Sequence, residues 1–514
     1  MSEKKQVTKN FVVIILSLTT KILIGLWLVP YLVKNIGAAA YGFVPILSVL
    51  IDYMSIATGS INSAISRFMA VDMQQENYAE ANKVFNTAVF GFTFLVILQL
   101  PIYYLVVANA EHLFSIPDNI YNDVIWFLVF ILAGYSLSLV FEVFGTTLFA
   151  SNRIDLMRIL AIAKMLVRLA VIVVCFTMDK PCLFYIGVAE LASLVITGLA
   201  KVYITMRLAP WLRVSVLDFQ KSKVRELLSM SGWIMIGFAG FLLLQRTDTW
   251  VIQKMTTPKE AGEYAVVVQW SILLRTVMTQ LAVLTGPLIL AAYANNDYRK
   301  IELIIVRSLK ILGAFTALIA GLIIGQSEQV LKIWVGEGIE RLYPLLMISL
   351  ALTPVAVATR PFNSLWPALK RVKVPGIVAI IAGVVAIVLS IVLLKYTNLG
   401  VYGVALAVLL VQTLRNVLFI PIYASRVLNI KARVFYAPLL SILLATAAIS
   451  ALAGSARFLG FEIDNWPKLI ASSAVAGLLG LPLVWRLILN ASDREFAIQL
   501  LPSKVKSRIP WLQK

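Results

Sequence analysis

The feature that most limits this chain is a procession of apolar runs separated by short charged segments. Each run is about 20 residues long, which as an α-helix crosses the hydrocarbon core of a bilayer. Helices that cover a soluble core keep a polar face, and most runs here have none. The chain is 60% hydrophobic and 14% charged, against about 25% charged for a soluble domain. Its mean hydropathy of +0.88 leaves too little polar surface to clothe a soluble protein of this length. The fold class that follows is all-α and polytopic, with about 14 transmembrane helices.

The runs predict spans over 10–33, 42–68, 84–108, 122–149, 157–178, 182–206, 226–252, 263–293, 302–325, 342–368, 375–395, 400–425, 434–456 and 467–489. The last pair reads either as two full spans or as one re-entrant hairpin. The basic start, Met1 to Asn10, followed by an apolar stretch imitates a signal peptide. That stretch is interrupted by Lys21 and continues to Val33, too long for the apolar region of a signal. It reads as a first, uncleaved span.

A net charge of +19 first suggests nucleic acid, but the loops account for it. With the N-terminus inside, inner loops and inner helix edges hold 28 of the 45 basic residues and outer segments hold nine. That asymmetry is the positive-inside pattern, so both termini are expected in the cytoplasm. The expected membrane is the bacterial inner membrane, and no nucleic-acid partner is implied. Cys175 and Cys182 form no disulfide framework, and the single histidine, His112, lies in a polar loop. No metal cluster or bound cofactor is expected.

Three local matches recur at a steady offset. Gly42 aligns with Gly262, Arg153 with Arg371 and Gly187 with Gly403, at offsets of 220, 218 and 216. Six spans separate the copies, and an even number preserves orientation. The halves are therefore expected as parallel repeats about an axis along the membrane normal. The expected organisation is a six-helix lobe at 1–210, a second at 211–430, two appended helices at 431–490 and a cytoplasmic tail at 491–514.

Several segments in order carry a family resemblance. They are Ile36-Gly37 through Tyr41-Gly42, Asp248 followed by Ala261-Gly262-Glu263-Tyr264, and Ile333-Trp334-Val335-Gly336 followed by Tyr343-Pro344-Leu345-Leu346. The last is Leu369-Lys370-Arg371 followed by Gly400-Val401-Tyr402-Gly403-Val404-Ala405. Through them the chain resembles the polysaccharide-transport branch of the MOP flippase superfamily, the Wzx-type O-antigen and polysaccharide flippases. That superfamily also holds the multidrug MATE transporters and the lipid II flippases. The resemblance implies a V-shaped two-lobed fold and alternating access. It also implies movement of an undecaprenyl-diphosphate-linked oligosaccharide from the inner to the outer leaflet.

Twelve charges fall within predicted spans: Lys21, Lys164, Arg168, Lys201, Arg246, Arg275, Arg360 and Arg415, with Asp52, Glu142, Glu190 and Asp248. A charge at the centre of a span costs roughly 2.5–3.5 kcal/mol on insertion scales, so most must face a bundle interior or a wet cavity. Lys21 and Asp52 sit at similar depth and can pair, as part of a cavity or as a packing salt bridge. Lys164 and Arg168 share one face of a helix and repel. Either an anion sits between them, or Lys164 snorkels to the interface. Lys201 and Glu190 read as interfacial. Arg246 and Asp248 are two apart and need separate partners. Arg360 precedes Pro361, where a helix breaks, and Arg415 reads as a residue pairing the lobes.

The candidate substrate-binding set is Lys21, Lys164, Arg168, Arg246, Arg275 and Arg360. The candidate carboxylates for coupling to H+ or Na+ are Asp52, Glu142 and Asp248. Arginine suits a diphosphate because its planar fork bonds two oxygens at once. The expected function is a flippase with a cationic central cavity, working with lipid-linked oligosaccharide, membrane lipids and polysaccharide polymerase or ligase machinery. An ion-coupled exporter of the MATE type would favour a carboxylate-rich cavity. A membrane-embedded glycan-processing enzyme would need a carboxylate or histidine cluster, and none is visible, so the chain reads as no enzyme.

Overall fold

Hydrocarbon offers no water to backbone N–H and C=O groups, so a spanning chain closes its hydrogen bonds inside helices. The computed structural model describes residues 3–151, 153–224, 235, 239–240, 242–243, 248–282, 285–369, 371–458, 462–490 and 493–494. Among these residues there are helices and turns and no strand. Twelve helical segments are long and apolar enough to cross a membrane. A further 32-residue helix covers the second predicted span. The seventh predicted span lies largely outside the described residues, and its end, 248–255, is helical. About 14 spans therefore match the sequence reading.

The chain forms two compact units, Met1–Ala265 and Val266–Lys514. The first holds α1 (Glu3–Tyr41), α2 (Phe43–Gln74), α3 (Tyr78–Ala108), α4 (Tyr121–Ala150), α5 (Ile154–Met178) and α6 (Leu183–Leu208). Helix α7 (Pro258–Ala282) starts in the first unit and continues in the second. The most extensive packing in the first unit is α4 on α6. A side chain at Gly198 would meet the Phe141 ring at 2.1 Å, and one at Gly187 would meet Phe130 at 2.9 Å. Membrane helices approach through small residues in this way, because lipid supplies no hydrophobic drive to pack them.

One close approach joins α1 and α7. A β-carbon at Gly262 would lie 1.8 Å from the Ala38 carbonyl oxygen, and one at Gly42 would lie 3.1 Å from Gly262 itself. The two glycines paired by the sequence repeat thus touch. Gly37 takes φ 80°, a left-handed value open to glycine, and kinks α1 so that Ala38 reaches that position.

The second unit contains α8 (Thr285–Ala294), α9 (Tyr298–Gly325), α10 (Ser327–Val335), α11 (Tyr343–Ala351), α12 (Thr353–Ala358), α13 (Phe362–Ala368), α14 (Lys373–Tyr396), α15 (Val401–Thr413), α16 (Ile420–Leu428), α17 (Arg433–Phe458) and α18 (Trp466–Leu487). A π-helical stretch, Leu414–Phe419, joins α15 to α16. The span predicted over 342–368 is broken into α11, α12 and α13. Prolines 344, 354 and 361 stand at the starts of these pieces, where a missing N–H does no harm. Hydroxyls occupy carbonyls beside the breaks: Thr353 donates to Ser349 at 2.9 Å and Thr359 to Ala356 at 3.1 Å.

The last two predicted spans are two separate helices, α17 and α18, of 26 and 22 residues. Helix α17 packs along α9, where Gly313, Gly321 and Gly325 meet Ile442, Ile449 and Ser450. Phe362, Phe435, Ile305 and Leu439 fill the core between these elements. Beyond α18, Asp493 accepts an ion pair from Lys310 of α9 at 2.5 Å and another from Arg307 at 3.4 Å. Lys310 and Asp493 are both nearly buried.

The sequence repeat recurs as backbone geometry. Before α3, Glu76 has φ 58° and Asn77 N bonds Asp72 O; before α9, 220 residues on, Asn296 has φ 55° and Asp297 N bonds Ala292 O. Asn77 and Asp297 then cap α3 and α9 through their side chains. Likewise Arg153 N bonds Leu148 O at 2.9 Å and Arg371 N bonds Trp366 O at 2.8 Å, 218 residues apart.

Two outcomes follow. Gly262→Ala drives a methyl into the Ala38 carbonyl and should lower both the thermal midpoint in detergent and transport, with Gly59→Ala, which meets nothing within 4 Å, as the silent control. Asp493→Ala strands the buried Lys310 ammonium and should lower unfolding stability by about 3 kcal/mol, read as a drop in the melting midpoint; an unchanged midpoint removes the tether.

Candidate functional site

Charges at membrane depth must find partners, so the site is built from where each one goes. In the first unit Lys164 and Arg168 stand one turn apart on α5. The anion between them is a residue of the chain itself: Glu190 of α6 takes Lys164 Nζ on one oxygen at 2.8 Å and Arg168 Nη1 on the other at 3.1 Å. The sequence pattern leaves Glu190 without a partner; its side chain is 18% exposed and bound by both cations. One carboxylate thus quenches the repulsion of two cations and leaves a triad of net charge +1. Arg168 Nε is buried with no hydrogen-bond partner among the described residues. Its guanidinium also lies within electrostatic range of the buried Tyr41.

Lys201, read as interfacial, pairs with Glu142 of α4 at 2.5 Å. Glu142 therefore sits in an ion pair. Asp248 accepts the Tyr264 hydroxyl at 2.8 Å and the Thr249 amide at 2.8 Å, two neutral donors for one carboxylate. Lys21 is exposed on α1. Asp52 lies on α2, with its side chain outside the described residues, and Arg246 falls outside them entirely.

In the second unit three arginines gather. Arg275 of α7 donates to its own helix, Nη2 to Ser271 Oγ at 2.6 Å and Nε to the Ser271 carbonyl at 3.2 Å. Arg360 occupies the break between α12 and α13, close enough to Arg275 and Arg415 for their charges to act on it. Arg415 lies in the π-helical stretch and donates to Asn416 Oδ1 at 3.3 Å. Its Nε is buried without a partner, and it forms no ion pair among the described residues. Helix breaks and π-turns free backbone groups and re-aim side chains, and here one of each supplies a cation to the cluster.

The sequence reading thus named Arg275 and Arg360 but left Arg415 outside the binding set. The missing signal is the π-turn, one inserted residue that no apolar period reveals. It also missed Glu190 as the counter-charge of α5, although a carboxylate within a span is legible as one in need of a partner.

The fold, with cations held at depth in each unit, defines a helical polytopic membrane protein, and comparison with known proteins places it in a family. Residues 7–289 match the family described as "Polysaccharide biosynthesis protein", and the chain belongs to that family. EpsK, a membrane protein of Bacillus subtilis strain 168, is 26% identical over 505 residues, covering 96% of this chain and 97% of the relative. The fold is that of the MOP superfamily. The lipid II flippase MurJ in an inward closed conformation superposes with a TM-score of 0.67 at 15% identity, over 94% of this chain and 99% of that one. An inward-facing multidrug resistance MATE family transporter gives 0.66 at 15%, over 80% and 94%. A MOP superfamily transporter from Pyrococcus furiosus, described by the reversed polarity of its binding pocket, gives 0.61 at 15%, over 83% and 97%. The chain is therefore a multi-pass membrane protein of a polysaccharide-biosynthesis family, with the fold that lipid II flippases and MATE transporters share.

Glu190→Gln should leave Lys164 and Arg168 in mutual repulsion and destabilise the first unit by about 2 kcal/mol. The melting midpoint should fall, and Lys164→Gln in the same chain should restore part of it. A single variant as stable as the parent would mean that the triad is not held.

Proposed function

We propose that this transporter carries an undecaprenyl-diphosphate-linked oligosaccharide, of the O-antigen or a related surface-polysaccharide kind, from the inner to the outer leaflet by alternating access through a cationic central cavity. The membrane is the bacterial cytoplasmic membrane, with both termini in the cytoplasm. The observation that carries this reading is the arginine cluster of the second unit, Arg275, Arg360 and Arg415. Three guanidinium groups near one another in an apolar bundle repel, and a diphosphate relieves that repulsion while gaining forked hydrogen bonds. The +1 triad of Lys164, Arg168 and Glu190 adds cationic character in the first unit, with Lys21 and Arg246 as further contributors.

The polyprenyl tail stays in lipid while the headgroup crosses, so the protein needs to shelter only the charged and sugar portions. Coupling to H+ or Na+ would act through a carboxylate. Asp248, held by neutral donors, is better placed to exchange a cation than Glu142, whose charge Lys201 neutralises; Asp52 completes the set. Polymerase or ligase machinery would consume the delivered glycan. A MATE-like exporter is the rival, and a cation-rich site disfavours its cationic cargo.

Deleting the gene should cause lipid-linked glycan to accumulate on the inner leaflet. Unchanged sidedness with altered drug resistance would favour the exporter, and an altered glycan structure would favour an enzyme. Arg275→Ala and Arg168→Ala should each lower flipping about tenfold at normal membrane abundance, the loss of one charge-assisted hydrogen bond of about 1.4 kcal/mol or more. Full activity in both would overturn the cationic mechanism.

A further inference from the structure

The first unit holds a second cationic feature, centred on Arg158, which the transport reading touches only through Lys164. Helices α4, α5 and α6 leave between them a pocket of about 500 Å³, with Ile14 of α1 on its wall. It lies where α4 ends, α5 begins and α6 ends, the end of the unit that the loop charges assign to the cytoplasm. Phe141, Phe149, Met157 and Leu160 make much of its wall apolar, and Arg158, Lys164 and Lys201 supply three cations.

Two of these cations have anions. Lys201 pairs with Glu142, and Lys164 shares Glu190 with Arg168, which leaves one positive charge in excess. Arg158, one turn into α5, makes no hydrogen bond or ion pair among the described residues and adds a second. An apolar pocket with surplus positive charge at its rim fits an amphiphile with an anionic head. Basic pockets between helices at the cytoplasmic face take acidic lipid headgroups.

We propose that this pocket binds an anionic glycerophospholipid of the inner leaflet, its phosphodiester on Arg158 and an acyl chain along Phe141, Phe149 and Leu160. Arginine forks onto two phosphate oxygens, and the surplus charge of the Lys164 triad supplies the second cation, Lys201 being paired with Glu142, which also lines the pocket. The ammonium of a zwitterionic lipid would meet these cations and be repelled. The lipid binds as a resident of the first unit, separate from the transported glycan.

The test uses the full chain in phosphatidylcholine nanodiscs with increasing phosphatidylglycerol. Lipid retained after purification is counted by native mass spectrometry, alongside the thermal midpoint. Phosphatidylglycerol should be retained and should raise the midpoint, whereas free glycerol 3-phosphate should do neither. Arg158→Gln should weaken phosphatidylglycerol retention about tenfold while leaving the midpoint in pure phosphatidylcholine unchanged. Ala161→Phe, which fills the pocket, should abolish retention. Equal retention of phosphatidylcholine, wild-type retention in Arg158→Gln, or a midpoint shift with glycerol 3-phosphate alone would each overturn the proposal.

Discussion

A charge inside hydrocarbon has no water to fall back on, and the structure is organised around finding each one a partner. Glu190 illustrates the rule: one carboxylate on α6 serves two cations on α5. Lys201 and Glu142 satisfy each other, and Asp493 does the same for Lys310 and Arg307. Among the described residues Asp248 is held by a phenol and an amide. Against this background the second unit stands out. Its arginine cluster includes a guanidinium, that of Arg415, with one nitrogen buried and unbonded and no ion pair among the described residues. An uncompensated charge at depth is expensive to keep, which is why that cluster is read as functional.

Packing follows a second rule with the same origin. Because lipid is as apolar as a leucine side chain, helices gain by approaching closely rather than by hiding apolar surface. Glycine faces on α6 and α9 bring α4 and α17 against them. The contact of Gly262 with Ala38 is the extreme case, since even a methyl has no room. Such contacts fix which helices can be neighbours and leave the charged positions to be set by register.

The broken span at 343–368 and the π-turn at 414–419 show how irregular backbone serves the site. Proline starts and hydroxyl caps let the helix stop without stranding carbonyls. Arg360 and Arg415 sit at those irregular points. Non-helical backbone at membrane depth is tolerated where it is buried in protein or lines a polar space.

The sequence by itself determined the class, the span count and the internal repeat. Hydropathy over about 20 residues reports a physical length, and the offset glycines and arginines report a duplicated backbone whose turns recur with the same φ angles. It also marked which charges lie at depth. Only the tertiary structure decided which charge answers which. Pairing depends on helix register and on neighbours far apart in sequence, and a linear pattern encodes neither. That is why the partners of Glu190, two cations on α5, and of Lys201, Glu142 on α4, and the packing of α17 along α9 are visible only in the fold.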